Sequence, residues 1–392
     1  MTRRVEHLIV GAGTAGAAAA RTLRAEGAEV LLVGRELDPP YHRPPITKGL
    51  LRGAETREST FFDGLDGVEL LTRTSVMALD TDARVATLQS KEEIEYGSAL
   101  LATGAMVRRL NADGAQLDGI HYLRTLGNAE SLRRDAEGAE RVVCVGGSYI
   151  GCEVAASLTA MGKRCTVVML EAEPLERGFG ARTGRWFREL LESHGVEVVG
   201  ESSVSAFIGS ERVEAVQLDD ARSLPADVVV VGVGVLPDVM LARKSGLDLG
   251  DAGGIRCDAQ LRTSAEGVYA AGDACEYASA LHDGRHVRIE HEDHAERQGE
   301  TAARNMLGAG EEHRAVPYFF SDLADWASLE YAGGAAEWDQ EVVEGSPEEG
   351  RFSVWYLDGG RVRGVLDVNG HGDLARGRDA ISRGASAASS EE

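Results

Sequence analysis

One glycine pattern occurs twice in this chain, each time between the same neighbours. Val5–Val10 is a short apolar run with strand character, and it leads into Gly11-Ala12-Gly13-Thr14-Ala15-Gly16. An alanine-rich helical stretch, Ala17–Glu26, follows, and then a second strand, Glu29–Val33. Strand, G-x-G-x-x-G, helix and strand make a βαβ unit. Gly11 permits the tight turn, Gly13 lets the backbone approach a pyrophosphate, and Gly16 lets the helix pack on the strand. Thr14 and Ala15 lead into the helix, whose unpaired N–H groups and positive dipole end attract phosphate. Glu36 lies 20 residues after Gly16, where a carboxylate accepts from a ribose hydroxyl. This unit predicts dinucleotide binding.

The second copy begins 135 residues later. Arg141–Val145 reads as a strand, Gly146-Gly147-Ser148-Tyr149-Ile150-Gly151 as the turn, and Cys152–Met161 as a helix. A strand over Cys165–Leu170 then ends at Glu171. Ser148 replaces the middle glycine, which weakens the motif slightly. A carboxylate at Glu171 repels a 2′-phosphate, so NADH is expected over NADPH. Two such units predict two dinucleotides. Three further apolar runs end in tight glycine turns: Leu100-Leu101-Ala102-Thr103-Gly104, Val228–Val231 with Gly232-Val233-Gly234, and Val268–Ala271 with Gly272-Asp273. They read as strands that return to one domain.

At roughly 100–200 residues per domain, 392 residues predict two or three domains. The formal net charge of −23 argues against nucleic acid and anionic membranes as partners. The charge is uneven. Residues 1–60 hold nine Lys/Arg against seven Asp/Glu, so a basic pocket can survive in an acidic protein. No apolar run approaches a membrane span, and no signal-peptide core follows Met1. A cytoplasmic protein, monomer or homodimer, is expected.

Further segments carry a resemblance: Tyr41-His42-Arg43-Pro44-Pro45-Ile46-Thr47-Lys48, Arg108-Arg109-Leu110, Tyr122-Leu123-Arg124, Gly232–Asp238, Arg288-Ile289-Glu290, Gln298-Gly299 and Phe320-Ser321-Asp322. With the two fingerprints, they make the chain resemble the FAD-dependent pyridine nucleotide-disulphide oxidoreductase superfamily. Within it, the chain is similar to NADH-dependent ferredoxin, putidaredoxin and rubredoxin reductases and to apoptosis-inducing factor. The resemblance implies an α/β fold with two Rossmann-like domains, one for FAD and one for NAD, and a small C-terminal α+β domain. It sets the FAD domain at 1–109 plus 236–316, the NADH domain at 110–235, and the third at 317–392. The small polar tail Gly384–Glu392 is expected to be disordered.

The same resemblance assigns residues. Lys48 is placed near flavin N5 as a fixed cation. Glu153, read as lying on the first turn of the NAD-domain helix, is placed near the nicotinamide, paired with Lys48. Asp273, after Gly272, is implied on the ribityl chain and Glu36 on the adenosine ribose, with Arg35 toward the adenine. Val76, Arg124 and the Ala102-Thr103-Gly104 turn match FAD-contact positions. Arg43 is placed either at the pyrophosphate or in a structural loop role. Glu290, His291 and Glu292 lead into a flavin-facing helix, and Phe320 follows from the C-terminal domain. Glu292 and Phe320 depart from the family, which often has an aromatic or apolar residue and a tryptophan there.

His282, His286, His291 and His294 do not form a zinc-binding H-E-x-x-H, and no metal is expected. Five cysteines include no CxxC pair, and residues 35–60 contain none, so no catalytic thiol fits. Cys152, beside the start of the NAD-domain helix, is the one thiol worth testing. The implied activity takes a hydride from NADH and passes electrons to a ferredoxin-type iron–sulfur protein of an oxygenase or P450 system. A quinone, oxygen or small-molecule acceptor, and a slow redox sensor like apoptosis-inducing factor, stay open.

Overall fold

The structure, a computed structural model, describes residues 3–335 and 337–384. The expected disordered tail lies outside the described residues except for Gly384, which ends the last helix with a left-handed φ of 62°.

The first sheet orders its strands 69–71, 30–33, 3–10 and 93–101, all parallel, with 268–270 joining parallel beside 93–101. A hairpin of Val76–Asp80 and Val85–Leu88 continues it antiparallel. Val10 sits level with Val33 and with Leu101, which in turn pairs with Ala270. The carboxyl ends of four strands therefore finish side by side, and from three of them emerge the turns at Gly11, Ala102 and Ala271. Open α/β sheets bind ligands at such strand ends.

The second sheet is parallel throughout, in the order 197–199, 164–168, 141–145, 228–231 and 120–121. Its strands lie in sequence between two strands of the first sheet. The chain crosses over at Ala105–Val107 and back at Val235–Pro237, which pair antiparallel. A third sheet, five antiparallel strands from Tyr318 to Val368, carries the helix Leu374–Arg383. The whole is an α/β fold with two Rossmann-like units and a C-terminal antiparallel domain.

Both fingerprint helices begin three residues earlier than the apolar pattern indicated, at Thr14 and Tyr149. Each turn is complete by its middle residue, so the last glycine already lies inside the helix. Glu153 consequently stands in the second turn of its helix rather than the first, beyond the first-turn N–H groups that favour a carboxylate at a helix N-terminus.

Arg43 leads into a 3₁₀ turn, Pro44–Thr47, with proline where its missing N–H costs nothing. A short helix, Gly49–Arg52, follows and stops at Gly53 with φ 73°. Leu50 and Leu51 are buried in one core with Leu158 of the second fingerprint helix and with Leu329 and Tyr331 of the third sheet. Each buried leucine contributes roughly 1.5–3 kcal/mol. That core fixes the segment carrying Lys48 to both neighbouring units.

Candidate functional site

A cavity of about 990 Å³ runs along the strand ends of the first sheet. Gly11, Gly13, Thr14 and Ala15 form part of its wall, as do Arg35, Glu36, Arg43 and Val76. Ala102, Thr103, Gly104 and Arg124 line it further, with Gly272 and Asp273. Gly16 does not face the space. A Cβ there would lie 1.9 Å from the Gly11 carbonyl oxygen, so Gly16 serves the helix–strand approach alone. At Gly11 a Cβ would lie 2.0 Å from the Ala102 oxygen. At Gly13 the nearest heavy atom would be Arg43 Nη2 at 3.9 Å, across open cavity.

The first fingerprint helix has no side-chain cap, so its opening N–H groups point unsatisfied into this space. Arg43 faces them. Its Nη2 lies 2.6 Å from Glu36 Oε1, and its Nη1 donates to the Arg124 carbonyl and to Tyr41 Oη. Burial works against the Arg43 charge, but Tyr41 and Glu36 outweigh it and hold the pKa above the ordinary guanidinium value. Glu36 also accepts from the Tyr41 hydroxyl. Arg124 Nη2 lies 3.0 Å from Asp273 Oδ2. Arg35 turns outward, half exposed, onto Asp238 at 2.7 Å.

A free helix N-terminus, a side-chain-free Gly13 and two guanidinium groups suit a diphosphate. Carboxylates at Glu36 and Asp273 suit hydroxyls on either side of it. The residues present therefore fit the FAD that the resemblance implies.

The other end of the cavity gathers the third sheet and the second fingerprint helix. Lys48, Glu153, Tyr149, Ile150, Ser148 and Phe320 line it, with Glu290 and His291, whereas Glu292 stands at the Thr14 end. Lys48 Nζ lies 3.5 Å from Glu153 Oε1 and 3.1 Å from Asp322 Oδ2. Glu153 also accepts from the hydroxyls of Thr47 and Ser321. Burial raises the Glu153 pKa, and Lys48 with the two hydroxyls opposes that rise. Thr47, Ser321 and Asp322 escaped assignment from sequence, although each sits inside a segment that carried the resemblance.

Glu292, at the family departure, accepts from Thr14 Oγ1 at 3.3 Å and from the Arg43 N–H at 3.2 Å. Its carboxylate lies 3.4 Å from His42, whose pKa it raises against burial. His291 packs on Phe319 with ring centres 4.4 Å apart, and burial pulls its pKa down to about 4 against the pull of Asp273.

The second unit reproduces the first in backbone but not in enclosure. At Gly146 a Cβ would lie 2.3 Å from the Gly232 oxygen, and at Gly151 1.8 Å from the Gly146 oxygen. Gly147 abuts Met169. These three glycines, Gly232 and Val233 stand outside the large cavity, while Gly234 reaches its wall. Ser148 is exposed at the cavity wall and donates its hydroxyl to the Gly232 oxygen at 3.2 Å. Glu171 pairs with the exposed Arg177, six residues along the chain.

His282 and His286 lie on another part of the surface, and His294 is buried beside His313 with ring centres 4.9 Å apart. Among the described residues, no His, Cys, Asp and Glu cluster could hold a metal. All five cysteines are buried and unbridged. No helix among the described residues is long and apolar enough to cross a membrane.

Residues 5–299 match the pyridine nucleotide-disulphide oxidoreductase family, and residues 318–391 match the family described as reductase C-terminal. The ferredoxin–NAD(+) reductase component of the anthranilate 1,2-dioxygenase system of Burkholderia cepacia is 35% identical over 96% of this chain and 94% of its own. Apoptosis-inducing factor 3 of Homo sapiens is 35% identical over 92% of this chain, which spans only 60% of that protein. The crystal structure of the ferredoxin reductase for the CYP199A2 system of Rhodopseudomonas palustris superposes with a TM-score of 0.92 at 32% identity, covering 97% of this chain and 95% of that one.

Proposed function

The chain belongs to the pyridine nucleotide-disulphide oxidoreductase family, and on that premise we propose an NADH-dependent, FAD-containing reductase that passes electrons to a ferredoxin-type iron–sulfur protein. That protein in turn serves an oxygenase or a P450. One observation carries the reading. A single cavity joins the Gly11–Gly16 turn, the Arg43 clamp and the Lys48–Glu153 pair, and the second fingerprint helix forms part of its wall.

Full-length relatives with this architecture bear the names of ferredoxin reductases of oxygenase and P450 systems. Disulphide chemistry has no thiol available here, because Lys48 stands in a segment without cysteine.

Bound FAD supplies the conversion between a two-electron hydride and single electrons. The chain supplies binding and orientation. The N–H groups at Thr14 and Ala15, with Arg43, hold the diphosphate. Glu36 accepts from the adenosine ribose and Asp273 from the ribityl chain, with Arg35, Val76, Arg124, Gly272 and the Ala102–Gly104 turn around them. In the second unit, Gly146–Gly151 and Gly232–Gly234 receive the NADH diphosphate. Glu171 accepts from its 2′-hydroxyl and disfavours a 2′-phosphate. Lys48 and Glu153 orient the nicotinamide, with Tyr149, Ile150, His291, Glu290 and Phe320 forming its surroundings, while Glu292 braces Thr14 and the Arg43 N–H on the flavin side.

We assign 1–109 with 236–316 to FAD, 110–235 to NADH and 317–392 to a C-terminal domain, a division supported by the return of strand 268–270 to the first sheet. A cytoplasmic location is part of the proposal, supported by five unbridged cysteines.

The test is direct. Purified protein is yellow, bleaches anaerobically with NADH faster than with NADPH, and reduces cytochrome c only when a ferredoxin from a panel is added. Rapid quinone turnover without ferredoxin would replace the acceptor. A colourless protein that NADH does not bleach on FAD addition would reject the reading.

A further inference from the structure

Three segments remote in sequence converge on one ammonium. Lys48 Nζ lies 3.1 Å from Asp322 Oδ2, 3.5 Å from Glu153 Oε1 and 4.2 Å from the centre of the Phe320 ring. Phe320 and Asp322 are two apart on the strand Tyr318–Leu323, so both project from one face. Ser321 between them turns the other way and donates to Glu153.

The two carboxylates are held differently. Glu153 has two hydroxyl donors besides the lysine, and its side chain is 9% exposed. It is fixed whether or not the ammonium approaches. The Asp322 side chain is 36% exposed, and Lys48 is its side-chain partner. The shorter of the two ion-pair distances is to Asp322. The lysine thus leans toward the looser carboxylate, under the face of an aromatic ring that favours a cation.

We infer that Asp322 is a positioning residue that draws the Lys48 ammonium off Glu153 and thereby sets the reduction potential of the flavin bound in this cavity. The inference rests on the FAD reading above. Reduction adds negative charge to the flavin, so nearby cations favour it and nearby anions oppose it. Lys48 and Glu153 are little screened, and water screens the more exposed Asp322 charge only in part. With Asp322 ionised, one cation faces two anions. Without that charge, Lys48 balances Glu153 alone, and the reduced form gains.

Asp322→Asn keeps the shape and removes the charge. Its midpoint potential, measured anaerobically on the holoprotein against a reference dye, should shift at least tenfold toward the reduced form. For a two-electron couple that is about 30 mV. Asp322→Glu should restore the wild-type potential, which a merely structural aspartate would not predict. Asp322→Ser provides a second neutral variant should the amide perturb folding.

An unchanged or more negative potential in flavin-replete Asp322→Asn would overturn the inference. Loss of flavin by both neutral variants would also overturn it, since Asp322 would then be a structural support. The FAD reading fails separately, in the wild-type protein, if that protein neither binds FAD nor is bleached by NADH.

Discussion

At the middle of the first fingerprint turn, a Cβ on Gly13 would enter the large cavity facing Arg43. At the matching position of the second turn, Ser148 already carries a side chain and tucks its hydroxyl onto Gly232. The same backbone therefore serves two different tenancies. Around the first turn, Arg43, Arg124 and the Ala271–Asp273 turn close in from separate segments. Over the second, an exposed Arg177 meets Glu171 and most of the glycines lie outside the cavity. An enclosed site suits a cofactor that stays, and an open one suits a cosubstrate that arrives and leaves each turnover. The glycine fingerprint marks dinucleotide binding, and the segments packed around it govern residence time.

The sharpest way to break this contrast is to substitute each middle residue. Gly13→Val places branched carbons in the diphosphate space without touching the core. FAD affinity should fall about a hundredfold, roughly 2.8 kcal/mol, read by flavin fluorescence on titrating deflavinated protein. Ser148→Gly should change the NADH Kd less than about threefold. A Gly13→Val protein that purifies yellow, or a Ser148→Gly protein that loses NADH, would erase the distinction.

A smaller effect is expected at the acidic ends of the two units. Glu36 is locked between Arg43 and Tyr41, whereas Glu171 has an exposed arginine that can swing away. Glu171→Gln should cut discrimination between NADH and NADPH about tenfold, the scale of one charged hydrogen bond. Steady-state kcat/KM for the two nucleotides measures it. An unaltered ratio would leave Glu171 as a partner of Arg177 and nothing more.

These pairings show where sequence reading stopped. The turns, the strand ends and the positions of Glu36 and Glu171 were legible because each depends on local spacing. The helix starts were displaced because apolar periodicity begins after the turn, while the backbone becomes helical within it. The partners of Glu36 come from a loop that folds back over the sheet. Asp322 reaches Lys48 only because the third sheet packs on the second fingerprint helix, Tyr149–Ala160. Motifs carry no trace of such returns. Glu292 was visible as an odd residue, yet its contacts with Thr14, His42 and the Arg43 N–H arise from two helix N-termini meeting.

The helix that begins at Glu292, with the loop after it, adds a pH dependence to the first unit. Burial pulls the His313 pKa down to about 4, with Arg304 adding to it, and His294 lies well below its ordinary value. Both rings are 2% exposed or less, and neither nitrogen of His294 has a hydrogen-bond partner among the described residues. A histidine pKa lower in the folded state means that protonation favours unfolding. Stability is therefore fully present above pH 6.5 and falls as pH drops from there toward 4. His313 alone accounts for about 3 kcal/mol. The Tm of the first unit, followed by flavin release, should fall by several degrees over that window. His313→Gln should flatten the slope. A slope that His313→Gln leaves unchanged would place the acid sensitivity elsewhere.

The smallest expected effect concerns Cys152, the thiol nearest the nicotinamide-side helix start. It is fully buried, and burial together with the Glu153 charge pushes its pKa up to about 12. Its Sγ lies 3.5 Å from the Gly147 oxygen, inside the turn. At pH 8 almost none of it is thiolate, the form that reacts. Iodoacetamide should leave it unlabelled in the folded protein, and Cys152→Ala should keep NADH bleaching within about twofold of wild type. Labelling of Cys152 that NADH suppresses would mean that the second turn opens enough to expose its floor. The open site would then be a mobile one, and the contrast with the enclosed first turn would be one of dynamics as well as of packing.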